Sequence, residues 1–159
     1  MPRVDTGMAA REKPPMIRIR PSRPDDFPRT LDIWREAVRA THDFLAPEDF
    51  HEIEGIVIGF LPEVPALIAV DEDDRPLGFL VMDESHVDAL FIDPAVRGRG
   101  IGKALIAHVA ALHDYLTVDV NEQNVQAVGF YERLGFVGND WSATDDSGRP
   151  YPVIYMRRD

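Results

Sequence analysis

Residues 89–103, ALFIDPAVRGRGIGK, hold an apolar run that breaks at Asp93-Pro94, then a glycine-rich turn, then the start of an amphipathic segment. This order predicts a strand, a tight turn and a helix in succession. Glycines at 98, 100 and 102 let consecutive backbone N–H groups point into one concavity at the helix N-terminus, where the helix dipole also favours an anion. Arg97, Arg99 and Lys103 add positive charge around that point. The stretch predicts a pyrophosphate cradle made by the N–H groups of residues 98–103: Gly98, Arg99, Gly100, Ile101, Gly102 and Lys103. A dinucleotide fingerprint of the GxGxxG type is not met, because Lys103, Ala104 and Leu105 follow Gly102 where a third small residue in register is needed.

Working outward toward the N-terminus, ALIAV, LGFLVM and HVDALFID are three apolar strands, the first two separated by the acidic turn DEDDRP, and they predict an antiparallel meander feeding the glycine turn. Before them, Ser22 and Asp25 stand at capping-box spacing, and Phe27, Leu31, Trp34 and Val38 recur at helical intervals. A second helix starts at Pro47 and runs to about Phe60, where Pro62 and Pro65 stop it. His42, Asp43 and Phe44 lie on the connection between these helices, where they either line a substrate mouth or cap the helix ends. MIRIRP alternates as a first strand should, and residues 1–15 show no periodicity and read as a disordered leader to a domain spanning 16–159.

Toward the C-terminus, Ile101, Leu105, Val109 and Leu112 form one helical stripe, and LTVDV follows as a fifth strand. A strand, helix, strand unit of this length is a right-handed crossover, so the fifth strand lies parallel to the fourth. NEQNVQAVGFYERLGF predicts a helix capped by Asn124 and ended by Gly135, and residues 136–144 and 151–157 form a hairpin around TDDSGRP.

Composition narrows the chemistry. With 159 residues and no cysteine, the chain fits one domain and offers no thiolate ligand or cysteine nucleophile, and its five histidines show no paired metal spacing. No metal is expected. No apolar run approaches the roughly 20 residues of a membrane span, so a cytoplasmic protein that avoids membranes is expected. A formal net charge of -11 opposes nucleic-acid binding. It suits an anionic ligand held at a local basic cluster and a second ligand drawn to negative potential, such as an amine, or else it serves solubility alone.

The residues also carry a resemblance. Arg97, Gly100 and Gly102 in RGRGIG, with Asn124, Phe130, Tyr131, Gly135 and Phe136 downstream, resemble the two motifs of the GNAT-superfamily N-acetyltransferases over about residues 16–159. More narrowly, ATHDFL, VDALFIDP and VNEQN look similar to the bacterial YjaB-type members. The resemblance implies an α/β (α+β) fold: a mixed, mainly antiparallel twisted sheet of six or seven strands, about four helices on both faces, and parallel fourth and fifth strands that splay apart. It implies that acetyl-CoA is the co-substrate, with its pantetheine arm along Leu90, Phe91 and Ile92, Asn124 bonded to that arm, and Phe130 beside the site. Tyr131 then serves as general acid. The acceptor is a primary amine, on a small molecule or a protein lysine, near His42, Asp43, Phe44 and the TDDSGRPY segment. Candidate proton acceptors are Asp88, His86, His42 and Glu122, with Asp88 first because it shares strand parity with Leu90 and Ile92. A non-catalytic acyl-CoA-binding or sensing module is the alternative, and the chain is expected as a monomer or homodimer.

Overall fold

The computed structural model describes residues 16–159, so the leader expected over residues 1–15 lies outside the described residues. The elements run β1 (Arg18–Pro21), α1 (Phe27–Thr41), α2 (Pro47–Phe60), β2 (Leu67–Val70), β3 (Pro76–Asp83), β4 (His86–Ile92), α3 (Ile101–Ala110), β5 (Leu116–Asn121), α4 (Val125–Arg133), β6 (Val137–Ser142) and β7 (Val153–Arg158). They build one seven-stranded sheet in the order β1-β2-β3-β4-β5-β7-β6. β1 to β4 are antiparallel neighbours, β4 and β5 are parallel, and β7 inserts between β5 and β6.

Strand alternation divides the core between the two faces. On one face Ile68, Val70, Phe79 and Val81 pack under α1, whose Leu31, Ile33, Trp34 and Val38 are buried. On the other, Leu80, Val87, Val118, Val120 and Met156 pack under α3 and α4. The stripe on α3 is Ile101, Leu105, Ile106 and Val109. Leu112 does not belong to it: the helix ends at Ala110, and Leu112 is 70% exposed in the turn beyond.

The entry to α1 also differs from the capping box expected at Ser22 and Asp25. Asp26 is the acid that reaches back, accepting from the Arg23 N–H at 2.7 Å, while the buried Arg20 guanidinium grips both its oxygens at 2.9 Å. Ser22 ties the chain to the neighbouring strand instead. Its N–H donates to the Ala66 carbonyl and its Oγ accepts from the Ala66 N–H at 3.0 Å. A buried arginine needs a paired carboxylate, and that requirement decides which acid faces inward.

Two irregularities create the site. The parallel ladder between β4 and β5 holds at His86 with Thr117 and at Val87 with Val118, and its pairing stops there. The strands therefore part toward their C-terminal ends, leaving the β4 edge beyond Val87 unpaired on that side. The second irregularity sits at the apex of the opening. Val81 pairs with Ala89 and Met82 with Val87, so Asp88 is the extra residue of a β-bulge.

Candidate active site

The opening between the strands leads into a cleft of about 750 Å³. Its floor is Leu90, Phe91 and Ile92 on β4, and one end is Arg97, Gly98, Gly100, Ile101, Gly102 and Lys103. Asn124, Gln126, Phe130 and Arg133 on and before α4 form one wall, and Ala37, Thr41 and His42 at the end of α1 form the other. The elements expected to hold a phosphorylated ligand thus meet in one cavity. Arg99 lies outside its wall. Backbone groups on an open strand edge keep their hydrogen-bonding capacity, so an extended ligand with amide groups can continue the sheet there.

The glycines act in two ways. Gly98 and Gly100 have φ of +82° and +81°, angles that glycine adopts freely and that turn the chain into the N-terminus of α3. Gly102 serves packing: a Cβ there would stand 3.0 Å from the Phe130 ring, so its missing side chain lets α4 close on α3. Asp93 anchors the turn from behind. It is buried, accepts from the Ala95 N–H at 2.9 Å, and pairs at 2.5 Å with Arg29 of α1. Burial works against its charge, but the Ala95 N–H and the Arg29 guanidinium outweigh it and hold its carboxyl below the ordinary value. At the cleft mouth Arg97 donates to the Gln126 Oε1 at 3.1 Å.

Asn124 has the capping role open to it from its spacing, with its Oδ1 accepting from the Ala127 N–H at 3.2 Å at the start of α4. Its amide nitrogen has no partner among the described residues, and the residue lines the cleft. Tyr131 is 6% exposed and packs edge-on against Phe130 and Phe136 at 5.0 and 5.2 Å. Burial alone pushes its phenol well above the ordinary value, so it stays protonated. Among the described residues nothing hydrogen-bonds its hydroxyl. A buried, unpartnered O–H is costly unless a ligand completes it.

Asp88 does not share a face with Leu90 and Ile92. The bulge interrupts the alternation after Val87, so Leu90 and Ile92 pack with Val87 on the α3 face, whereas Asp88 lies 4.0 Å from His86 Nε2. His86 also lies 3.7 Å from Asp119, which projects opposite to Val118 and Val120. Asp88 and Asp119 are the first residues past the last paired step of the parting strands, on the α1 side of the sheet. Burial raises the Asp119 carboxyl, His86 opposes that, and Asp146 and Asp88 add to it.

His42 lines the cleft; Asp43 and Phe44 do not. Phe44 links His42 to the C-terminal hairpin, with ring centroids 5.2 Å from His42 and 6.0 Å from Tyr151. Tyr151 in turn donates to Asp49 and accepts from the Ala46 N–H at 3.2 Å, and Arg149 joins Glu52, Asp49 and Asp145. The connection after α1 and the TDDSGRPY segment are therefore one bonded unit. Sequence reasoning missed Arg29, Gln126, Ala37 and Thr41. Gln126 had a local signal, since it sits on the first turn after Asn124, whereas Arg29 had none.

A family model described as an acetyltransferase (GNAT) domain matches residues 34–147. The chain is 50% identical to the peptidyl-lysine N-acetyltransferase YjaB of Salmonella typhimurium over 141 residues, covering 89% of this chain and 97% of that protein. The solution structure of apo YjaB from Escherichia coli superposes with a TM-score of 0.86 at 47% identity, covering 89% of this chain and 97% of that one. An N-acetyltransferase from Thermoplasma acidophilum in complex with coenzyme A shares the fold, with a TM-score of 0.67 at 19% identity over 91% and 99% of the two chains. On that family match, and on half-identity across most of its length, this chain belongs to the GNAT family of N-acetyltransferases.

Proposed function

We propose that the protein transfers the acetyl group of acetyl-CoA to the ε-amine of protein lysines. The observation that carries this reading is the β4–β5 opening, whose unpaired strand edge runs from Asp88 at its apex to the glycine turn at its wide end. The YjaB relatives, named as peptidyl-lysine acetyltransferases, support lysine as acceptor. The Thermoplasma protein, which holds coenzyme A on the same fold, supports the donor.

Acetyl-CoA supplies an acyl group activated as a thioester. The N–H groups of the turn from Gly98 to Lys103 hold its pyrophosphate, aided by Arg97 and Lys103, with Arg99 contributing charge from outside the cleft wall. The backbone of Leu90, Phe91 and Ile92, the Asn124 amide and the Phe130 ring orient the pantetheine arm. Tyr131 donates its proton to the departing sulfur, a role suited to a phenol that burial keeps protonated. The lysine enters from the α1 side, past His42, Asp43 and Phe44, where Asp88 stands at the apex as an acidic group able to receive or hold its ammonium.

Incubating the protein with acetyl-CoA and lysine peptides, with free thiol and ε-acetyllysine followed together, tests this. Equal formation of both is expected. Thiol release with small amines alone would replace the protein acceptor by a small-molecule one, and tight acetyl-CoA binding with no release would favour a sensing module.

A further inference from the structure

His42 has a defined protonation pattern, assigned from the hydrogen bonds around it. The Thr41 hydroxyl lies 2.8 Å from the Ala37 carbonyl, the usual back-bond of a threonine in a helix, and 2.7 Å from His42 Nδ1. A hydroxyl has one proton, and the Ala37 carbonyl can only accept, so Thr41 donates there. Its oxygen must then accept from an Nδ1–H. That assigns the imidazole the tautomer whose Nε2 carries a free lone pair. His42 lines the cleft shared with Leu90, Phe91 and Ile92, and Phe44 packs on its ring at 5.2 Å.

We propose that His42 is the general base that takes the proton of the incoming lysine ammonium through Nε2, and that Thr41 is the positioning residue that holds its tautomer. The proposal rests on reading the cleft as the acetyl-transfer site. Of the four sequence candidates, Asp88, His86, His42 and Glu122, His42 alone lines that cleft. His86 engages Thr117 through Nδ1 at 2.7 Å and faces Asp88 and Asp119. Burial holds His42 below the ordinary imidazole value of 6.5, with Asp43 opposing in part, so the ring is neutral at physiological pH. The charged group that acts on it directly is Asp43 on its own connection; Arg97, Lys103 and Arg133 line the same cleft.

The protons balance. His42 takes one from the ammonium, and the freed nitrogen lone pair forms the C–N bond as the C–S bond breaks. The sulfur keeps that electron pair and takes the Tyr131 proton. The nitrogen's surplus proton then restores Tyr131, and His42 returns its own to solvent.

The test compares wild type, His42→Gln, Thr41→Val and Thr41→Ser for pH-dependent kcat/KM on a lysine peptide and for acetyl-CoA Kd. His42→Gln should lower kcat/KM roughly 100-fold, remove the acidic limb of the profile, and leave the acetyl-CoA Kd within about twofold. Thr41→Val should lower kcat/KM less, and Thr41→Ser should restore it. Wild-type kcat/KM with an unchanged acidic limb in His42→Gln, or full activity in Thr41→Val, would overturn the assignment. No transfer by the wild type would instead overturn the underlying reading of the cleft, and the base with it.

Discussion

Tyr131 combines a ring wedged between two phenylalanines with a hydroxyl that has no partner among the described residues. Removing that oxygen leaves the packing intact, so Tyr131→Phe should lower kcat at least roughly tenfold while acetyl-CoA affinity stays nearly unchanged in a calorimetric titration. Gly100 isolates a different physical term. A Cβ there meets nothing within 4 Å, but φ of +81° strains any other residue. Gly100→Ala should cost about 1–2 kcal/mol of stability in denaturant unfolding and weaken acetyl-CoA binding as the turn shifts. Both residues were legible in the sequence because a glycine turn and an FYxxxGF motif are local patterns. The face of Asp88 was not. Strand parity holds only while a strand pairs without interruption, and the bulge that displaces Asp88 is set by pairing with β3, which no local pattern of β4 records.

At the scale of elements, the helices and strands were legible through periodicity, apolar runs and proline or glycine punctuation, and what stayed hidden were the bonds between distant segments. Arg29 and Asp93 stand 64 positions apart, and their contact joins α1, which walls the cleft, to the turn that leads into the glycine segment. Arg29→Met should leave Asp93 buried without its partner. The expected results are a loss of about 3 kcal/mol of stability and a several-fold rise in KM for acetyl-CoA, read from thermal unfolding and initial rates. The ion-pair cluster of Arg20, Arg23, Asp26 and Asp74 should make stability depend on pH. Hydrogen bonds from Arg20 hold the Asp26 carboxyl below its ordinary value, and Arg20 and Arg23 bring Asp74 to about 2. Carboxyls depressed in the folded state contribute stability that is present above their unfolded pKa and lost as they protonate. The melting temperature should fall between about pH 4 and pH 2, and Asp74→Asn should flatten part of that fall. A melting temperature constant across this window would exclude the cluster from acid unfolding.

The molecule as a whole sets an acidic body, with formal net charge -11, around a basic cleft end. Asp49, Glu52 and Asp145 bind Arg149 where α2 meets the C-terminal hairpin, so a braced, carboxylate-rich rim stands on the side where the proposed function places the lysine. Attraction between this rim and a lysine flanked by basic residues should weaken with salt. KM for such a peptide should rise with ionic strength, and an acidic-flanked peptide should be acetylated poorly at every salt concentration. Overall charge and the basic cluster at the glycine turn were readable from the sequence, but the carboxylates gathered around Arg149 required the fold.

The most direct measurement is a single kinetic trace in which wild-type protein, acetyl-CoA and a lysine peptide are mixed while free thiol and ε-acetyllysine are both quantified. Acetyl transfer through the β4–β5 cleft requires the two to rise together, and requires both to slow at least roughly tenfold in Tyr131→Phe. Acetyl-CoA that binds without either product forming, or a rate indifferent to Tyr131, would contradict it.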